Sequence, residues 1–592
     1  MPDVPSANRG VGIISPIVTV DGAALPDTAQ LLSVEVDLGL NLVGRATLRY
    51  VEDSFDIKVL PKFGLGAQVT ITTLADHATE KNLFKGLVTG VSLDHDEYST
   101  VVTVTVDDAA YKLGQHTETT AFLNSTYHDV MTKMVAGTGL QSEIDATTET
   151  HPYLLQTGTD LAYLNWIVRR CGMVWWVDFG RLSVKKISNA PTSAVVELAL
   201  GEDLFRLSTR ASGLHTGKVT VTGWDDAQQA AVANVADATA AAESTLTSKF
   251  PGRAAAEGAG TRVSGASPLT VDEATLVSET LLAESTSAAA TTRGSCIFDG
   301  AIKPFTKVAV SRAGPVTGSY LVTRVQHVFS GGGFETHFTA GPLRPEGLVD
   351  LLAAPVESAG ATIGGLMVGV VTNINDTEGK IGRVKVKFPT IGSGIESEWA
   401  RVVTLGGGPT RGVVFQPEVN DEVLVGFEQG DTRRPVVLGG LFSKKNGLPT
   451  SDNVGDDGKV AYRRINSRTG HLIELADGTS PDKKHILLKT SNGHLIRLGE
   501  DKLELTVADK PVTITNGKAT IEFTASGDIN IEGMNINIKA KTAVKINGAQ
   551  IEAKSSGTAK VEATMLDVKA SATASVDGGG MLTLKGGMVA IN

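Results

Sequence analysis

Over the first 115 residues apolar and polar positions alternate with a period of two. Val34-Glu35-Val36-Asp37-Leu38, the run 69–73 and the run 101–106 are β-branched and separated by Gly, Asp and Pro, the pattern of half-buried strands. Residues 86–92 and 100–106, joined by the charged stretch 94–97, predict a hairpin. The period then lengthens. Asp160 suits the N-cap of a helix that carries Leu161, Leu164, Ile167, Val168 and Cys171 on one side and stops at Gly172. Trp175, Trp176 and Val177 open the next strand. Nine of the sixteen positions 227–242 are Ala, which predicts helix, and a Gly/Ala/Ser stretch (251–268) separates them from a second helical run starting near Asp272. Strand patterning returns over 297–338, with 320–327 and 334–338 as a hairpin across 331–333. Residues 1–350 are thus expected to hold two β-barrel-like units, about 11–120 and 190–345, with helical insertions.

Residues 360–445 carry five short apolar runs (366–371, 382–388, 399–404, 422–427 and 434–440) split by turn residues, the spacing of a small Greek-key barrel of the OB type. A neck over 446–470 leads into 471–592. There the text becomes a string of short alternating pieces, among them Ile529-Asn-Ile531, Ile536-Asn-Ile538, Val544-Lys-Ile546 and Leu582-Thr-Leu584, recurring every seven or eight residues. From Asp501 onward there is one aromatic residue, Phe523, and one proline, Pro511. Each piece offers an apolar strip two residues wide, too little to offset its chain entropy alone. A one-chain β-helix normally uses coils of about 20 residues, whereas a piece of one strand fits one side of a triangular prism. The expected architecture is therefore mainly β, ending in an intertwined trimeric β-helix roughly 50 Å long at ~4.8 Å per stacked strand. Its core would be Ile529, Ile531, Ile536, Ile538, Val544, Ile546, Leu582 and Leu584.

Composition narrows the function. A length of 592 residues fits three or four domains, and two cysteines, Cys171 and Cys296, exclude a disulfide framework and a four-cysteine zinc site. No apolar run reaches 18 residues, and the opening MPDVPSANRG lacks signal-peptide order, so neither a membrane span nor Sec-type export is expected. Residues 446–592 hold 18 Lys and Arg against 17 Asp and Glu, a net +1, so the first 445 carry −12 and the whole chain −11. An acidic body without a basic stripe argues against nucleic acid. Walker, zincin and nucleophile-elbow motifs are missing. Gly406-Gly-Gly408 with Arg411 reads as a turn rather than a phosphate cradle, Asp94-His95-Asp96 as a hairpin tip rather than a metal site, and Cys171 as core. No catalytic residue, cofactor or metal site is assigned, and the short stretch 444–466 leaves no room for an inserted hydrolase.

The order of parts resembles the VgrG family, the spike proteins of type VI secretion and related phage-tail-like injection systems. Gln156-Thr-Gly-Thr-Asp-Leu-Ala-Tyr-Leu164 with Cys171-Gly172, Val219-Thr-Val-Thr-Gly-Trp-Asp225 and Gly318-Ser-Tyr-Leu-Val-Thr-Arg-Val-Gln-His327 are similar to its hub motifs. Gly379-Lys-Ile-Gly-Arg-Val-Lys-Val-Lys-Phe-Pro389, Trp399-Ala-Arg401 and Pro417-Glu-Val-Asn-Asp-Glu-Val423 resemble its OB module, and Arg468-Thr-Gly-His471 with Asp477 its neck. The resemblance implies a homotrimeric hub and spike that joins a sixfold inner tube to a puncturing tip within a baseplate. It also implies assembly in the bacterial cytoplasm and partners that include the inner tube protein, baseplate proteins and a small conical PAAR-type tip protein. The alternative is a type VI spike that carries an effector non-covalently. Gly586, Gly587, Met588, Val589, Ile591 and Asn592, apolar and without metal ligands, are the expected seat of the tip protein.

Overall fold

The computed structural model describes residues 14–591 apart from 26–29, 53–56, 75–80, 213–215, 227, 238–259, 265–267, 332, 345–361, 378 and 393. The chain separates into two compact units, residues 1–447 and 448–592.

The first unit is organised by a 13-stranded sheet. Strands from residues 15–107 and strands from 204–340 are continuous within it, because Gly318–Ser330 pairs antiparallel with Gln30–Gly39 from Arg324↔Gly39 to Phe329↔Val34. Ion pairing of Arg324 with Asp37 and a bond from Gln326 to Glu35 pin that junction on its solvent side. Beneath it, the alternate residues Val34, Val36, Leu48, Tyr50, Ile71, Val102, Val104, Val322, Val325 and Phe338 form one buried core. The period-two pattern works here because one strand face points inward along its whole length. Gly294, on the strand Ala290–Ile297, passes directly under the Phe338 ring; a methyl group there would lie 2.3 Å from it.

A second core lies between the helices Tyr127–Ala136 and Asp160–Arg170 and the strands Met173–Asp178 and Arg181–Lys186. Trp175 is fully buried there, its indole N–H donating to Asn165 at 2.9 Å. Cys171 closes the helix face as expected for a core thiol, and burial pushes its pKa up to about 12. The cap of that helix corrects the expectation: Thr159, in extended conformation, is the N-cap and accepts from the Ala162 N–H at 3.2 Å. Asp160 occupies the first helical position and bonds His116 Nδ1 at 2.8 Å instead.

The alanine-rich stretch is a second correction. Of residues 227–242, those after Asp237 lie outside the described residues, and Ala230–Asp237 is a strand, not a helix. It pairs over eight positions with Lys218–Asp225, from Lys218↔Asp237 to Asp225↔Ala230. Its core face, with Val232 and Ala236 buried, sits against the helix Val271–Ser287, and its small side chains let sheet and helix approach closely. Tertiary packing thus outweighs the helix propensity of alanine, worth only tenths of a kcal/mol per residue.

Residues 362–440 form the OB module: a five-stranded sheet in the order Lys385–Lys387, Leu366–Asn373, Glu422–Phe427, Pro435–Gly440, Arg401–Val402, around Val371, Val384, Val386, Phe388, Val423, Val425 and Val437.

Gly294→Ala is expected to destabilise the first unit by about 1–3 kcal/mol through overpacking against Phe338. Denaturant unfolding monitored by near-UV circular dichroism measures the loss, and the double variant Gly294→Ala/Phe338→Leu should recover most of it.

Candidate assembly interface

Two features of the first unit join its hub to the OB module, and both use residues whose chemistry the linear pattern hides. The first is a buried charge network. Glu273, on the helix Val271–Ser287, accepts from Arg170 Nε at 2.6 Å and from Arg433 at 3.0 Å, and its other oxygen accepts from the Leu269 backbone N–H at 2.7 Å. Arg433, from the OB module, is also paired with Asp431 at 2.8 Å. Glu273 and Arg433 are each only 4% exposed. Burial alone would raise the Glu273 pKa, but Arg170 and Arg433 outweigh it and bring the carboxyl down to about 2. Three turns along the same helix, Glu284 holds Arg169 at 3.2 Å and Arg344 at 2.6 Å. The second feature is the Gly223-Trp224-Asp225 strand end. The Trp224 carbonyl accepts from Arg434, and Asp226 pairs with Arg401 at 3.4 Å, so this motif is a hub-to-OB contact.

The second unit begins with a five-stranded antiparallel meander, Tyr462–Asn466, Leu472–Asp477, Lys484–Lys489, Leu495–Gly499 and Leu503–Thr506. Register aligns Ile465, Ile473, Leu488, Ile496 and Leu505 in one cross-strand row, and Leu475, Ile486, Leu498 and Leu503 in a parallel row on the same face. All of these side chains are exposed. The opposite face is paired within itself: Glu474, 5% exposed, bonds Arg464 and His485, and Arg497 bonds Glu504 at 3.2 Å. The charged groups of one face are thus turned toward one another while the apolar face is bare, the reverse of an ordinary solvated sheet.

The turns of this meander repeat. Ser467-Arg-Thr-Gly-His471 and Thr490-Ser-Asn-Gly-His494 share one set of bonds: first-residue N–H to His carbonyl at 2.9 Å, Gly N–H back to the first carbonyl at 3.0 Å, and His N–H to the first hydroxyl at 3.0 and 3.2 Å. Each imidazole then accepts from the next turn on that edge, His471 Nδ1 from Ser491 N–H at 3.2 Å and His494 Nδ1 from Ala508 N–H at 3.3 Å. The repeated Gly-His-Leu-Ile text was the available signal for this ladder.

A three-stranded sheet follows, Val512–Thr515, Thr520–Phe523 and Ile529–Glu532, and it places Ile529 and Ile531 on its outer strand. Past it, residues 533–591 run without an assigned strand, and the single backbone–backbone hydrogen bond among these described residues is Met581 N–H to the Gly578 carbonyl. Ile529, Ile531, Ile536, Ile538, Val544, Ile546, Leu582 and Leu584 are all more than half exposed. One chain does not bring them together. Gly586, Gly587, Met588, Val589 and Ile591 are exposed as well, Met588 at 89%, while Asn592 lies outside the described residues. The candidate chemical sites resolve into local structure. Asp96 caps the turn through the Tyr98 and Ser99 N–H groups, His95 bonds Thr100, and Gly407–Gly408 pairs with Arg411–Gly412 as a small hairpin. Among the described residues no three His, Cys, Asp or Glu converge as metal ligands, and no helix is long and apolar enough to cross a membrane.

Comparison with known proteins gives these features a setting. Residues 11–330 match the family described as the Alg8 N-terminal domain, and 367–442 match the type VI secretion system/phage-baseplate injector OB domain. The type VI secretion system spike protein VgrG5 of Pseudomonas aeruginosa is 34% identical over 124 residues, 20% of this chain and 15% of the length of that protein. Among solved structures, the half-lidded PdpA–VgrG complex of Francisella matches over 84% of this chain and 88% of the matched chain with a TM-score of 0.53 at 8% identity. The lidless PdpA–VgrG complex gives 0.51 over 83% and 98%, also at 8%. A likeness at that identity is one of fold. Hub sheet, OB module and β-structured tail are those of a phage-tail spike-like structural protein. The chain belongs to the family of the Alg8 N-terminal domain and is similar to spike proteins of the VgrG family.

Removing the Glu273 carboxylate by Glu273→Ala leaves Arg170 and Arg433 buried together and should cost about 3–5 kcal/mol. The acid side carries a second signature. A carboxyl held at about 2 against an ordinary 4.5 contributes stability in full above pH 4.5 and loses it as pH falls from there toward 2. Unfolding of the wild type should therefore steepen across that window, and Glu273→Ala should flatten it; differential scanning calorimetry from pH 2 to 6 checks both.

Proposed function

We propose that three copies of this chain form the central spike and hub of a contractile injection particle. In this reading the hub meets the sixfold inner tube, and the tail is the shaft driven through a target envelope on sheath contraction. The observation that carries it is the run 533–591: without an assigned strand, with regularly spaced exposed aliphatics and almost no backbone pairing of its own. Backbone N–H and C=O groups withdrawn from water need partners, and two further copies supply them while covering Ile536, Ile538, Val544, Ile546, Leu582 and Leu584. At roughly 1.5–3 kcal/mol per buried aliphatic, three chains gain several tens of kcal/mol before entropy. The bare apolar face of the meander, two rows deep, is covered in the same way. Two β-rich halves of the hub in each of three copies give six similar positions, the count a sixfold tube requires. Assembly in the bacterial cytoplasm beside baseplate proteins belongs to the same reading, as does a small conical PAAR-type protein seated on Met588, Val589 and Ile591.

Full-length protein should sediment as a trimer. Ile531→Asp should weaken it roughly 100-fold or more by placing charges among buried aliphatics, while Lys545→Ala, at the polar position between Val544 and Ile546, should leave it unchanged. A stable wild-type monomer overturns the proposal. Deleting 586–592 should preserve the trimer and abolish co-purification of the tip protein; retention of that protein would remove the seat from these residues.

A further inference from the structure

The OB module carries an exposed apolar element that its own chain leaves uncovered. Between Val402 and Glu418 the only ionisable residue is Arg411. Within this stretch Gly407–Gly408 and Arg411–Gly412 pair as a hairpin, and the Thr404 hydroxyl bonds the Val413 carbonyl across its base. Gly412, at φ 145°, passes so close to the Gly406 carbonyl that a methyl group would lie 2.5 Å from it. The finger is therefore shaped by its own bonds. It presents Leu405 (85% exposed), Val414 (88%) and Phe415.

The same module has an uncovered apolar sheet face. Leu366 and Leu438 close over Gly426, where a methyl group would meet them at 3.2 and 3.8 Å, and Val368 extends the patch along its strand. Leu366, Val368 and Leu438 are all exposed, so the finger does not cover this face within one chain.

We propose that the finger of one copy seats on the Leu366–Leu438 face of the next copy, forming a ring of head-to-tail clasps between OB modules. The proposal rests on the trimeric reading above. Residues 441–447 join the module to the second unit, a tether of at most about 25 Å. Self-association of the second unit therefore holds three OB modules within reach of one another. Finger and face are different surfaces of one module, so the contact is heterologous, and threefold rotation closes it with every finger used. A nearly uncharged finger suits an apolar receiving face and leaves Arg411 at the rim.

The test is the double variant Leu405→Cys/Leu438→Cys in the full chain under mild oxidation, with sedimentation of the same sample. Native Cys171 and Cys296 are buried and do not compete. The expected result is a covalent trimer on non-reducing gels, at least tenfold more abundant than any cross-linked species from either single variant. A sedimenting trimer without the covalent ring, or with disulfides confined within single chains, overturns the clasp and leaves the trimer standing. A monomer overturns the trimeric reading and the clasp with it.

Discussion

Backbone hydrogen bonding is the constraint on which the rest of this molecule depends. The first unit satisfies it internally: the 13-stranded sheet and the OB sheet pair their strands within one chain over well-filled cores. The last 59 residues described, 533–591, make one such bond among themselves. In the proposed trimer, two further copies of the same sequence supply the partners this stretch lacks. The poverty of the tail in aromatic residues fits the same proposal, because a thin shaft of three chains would have room at its axis for Ile, Val, Leu and Ala but not for rings.

Between these extremes lies the meander 462–506, which pairs its own strands but leaves its aliphatic rows outward and its ions turned toward one another. Pairing and burial within the chain therefore decline along it, from a sheet complete in both, through one that leaves side chains bare, to a run that leaves side chains and backbone alike without partners of its own. In the proposed trimer, such a gradient would let each hub fold before its shaft assembles and make the shaft, unlike the hub, sensitive to protein concentration.

Much of this could be read from the text where one face of an element meets one core. Val34, Val36, Val102 and Val104 alternate because their strands are covered on one side, and the OB strands 366–371 and 422–427 showed the same rule. The reading failed at 230–237, where alanine suggested a helix. The deciding contact came from the helix Val271–Ser287, far away in sequence and unable to approach a strand with larger side chains. It also missed the cap at Thr159, since Thr and Asp stand side by side and only backbone conformation chooses between them. The network of Glu273, Arg170 and Arg433 was equally hidden, because its members are separated by more than a hundred residues and nothing local marks them as partners. A fold likeness to chains of the PdpA–VgrG complexes at 8% identity makes the same point from the other side: pattern persists where individual residues do not.

The burial of that network has a consequence for the ionic environment. Counter-ions screen charges they can approach, and at physiological salt the screening distance is about 8 Å. Arg401 and Asp226, both well exposed, lie within their reach. Glu273 and Arg433 do not, because protein rather than solvent surrounds them. Brine should loosen the outer contact between hub and OB module and leave the inner one untouched. The two parts then remain one body whether the surrounding fluid is cytoplasm, fresh water or sea.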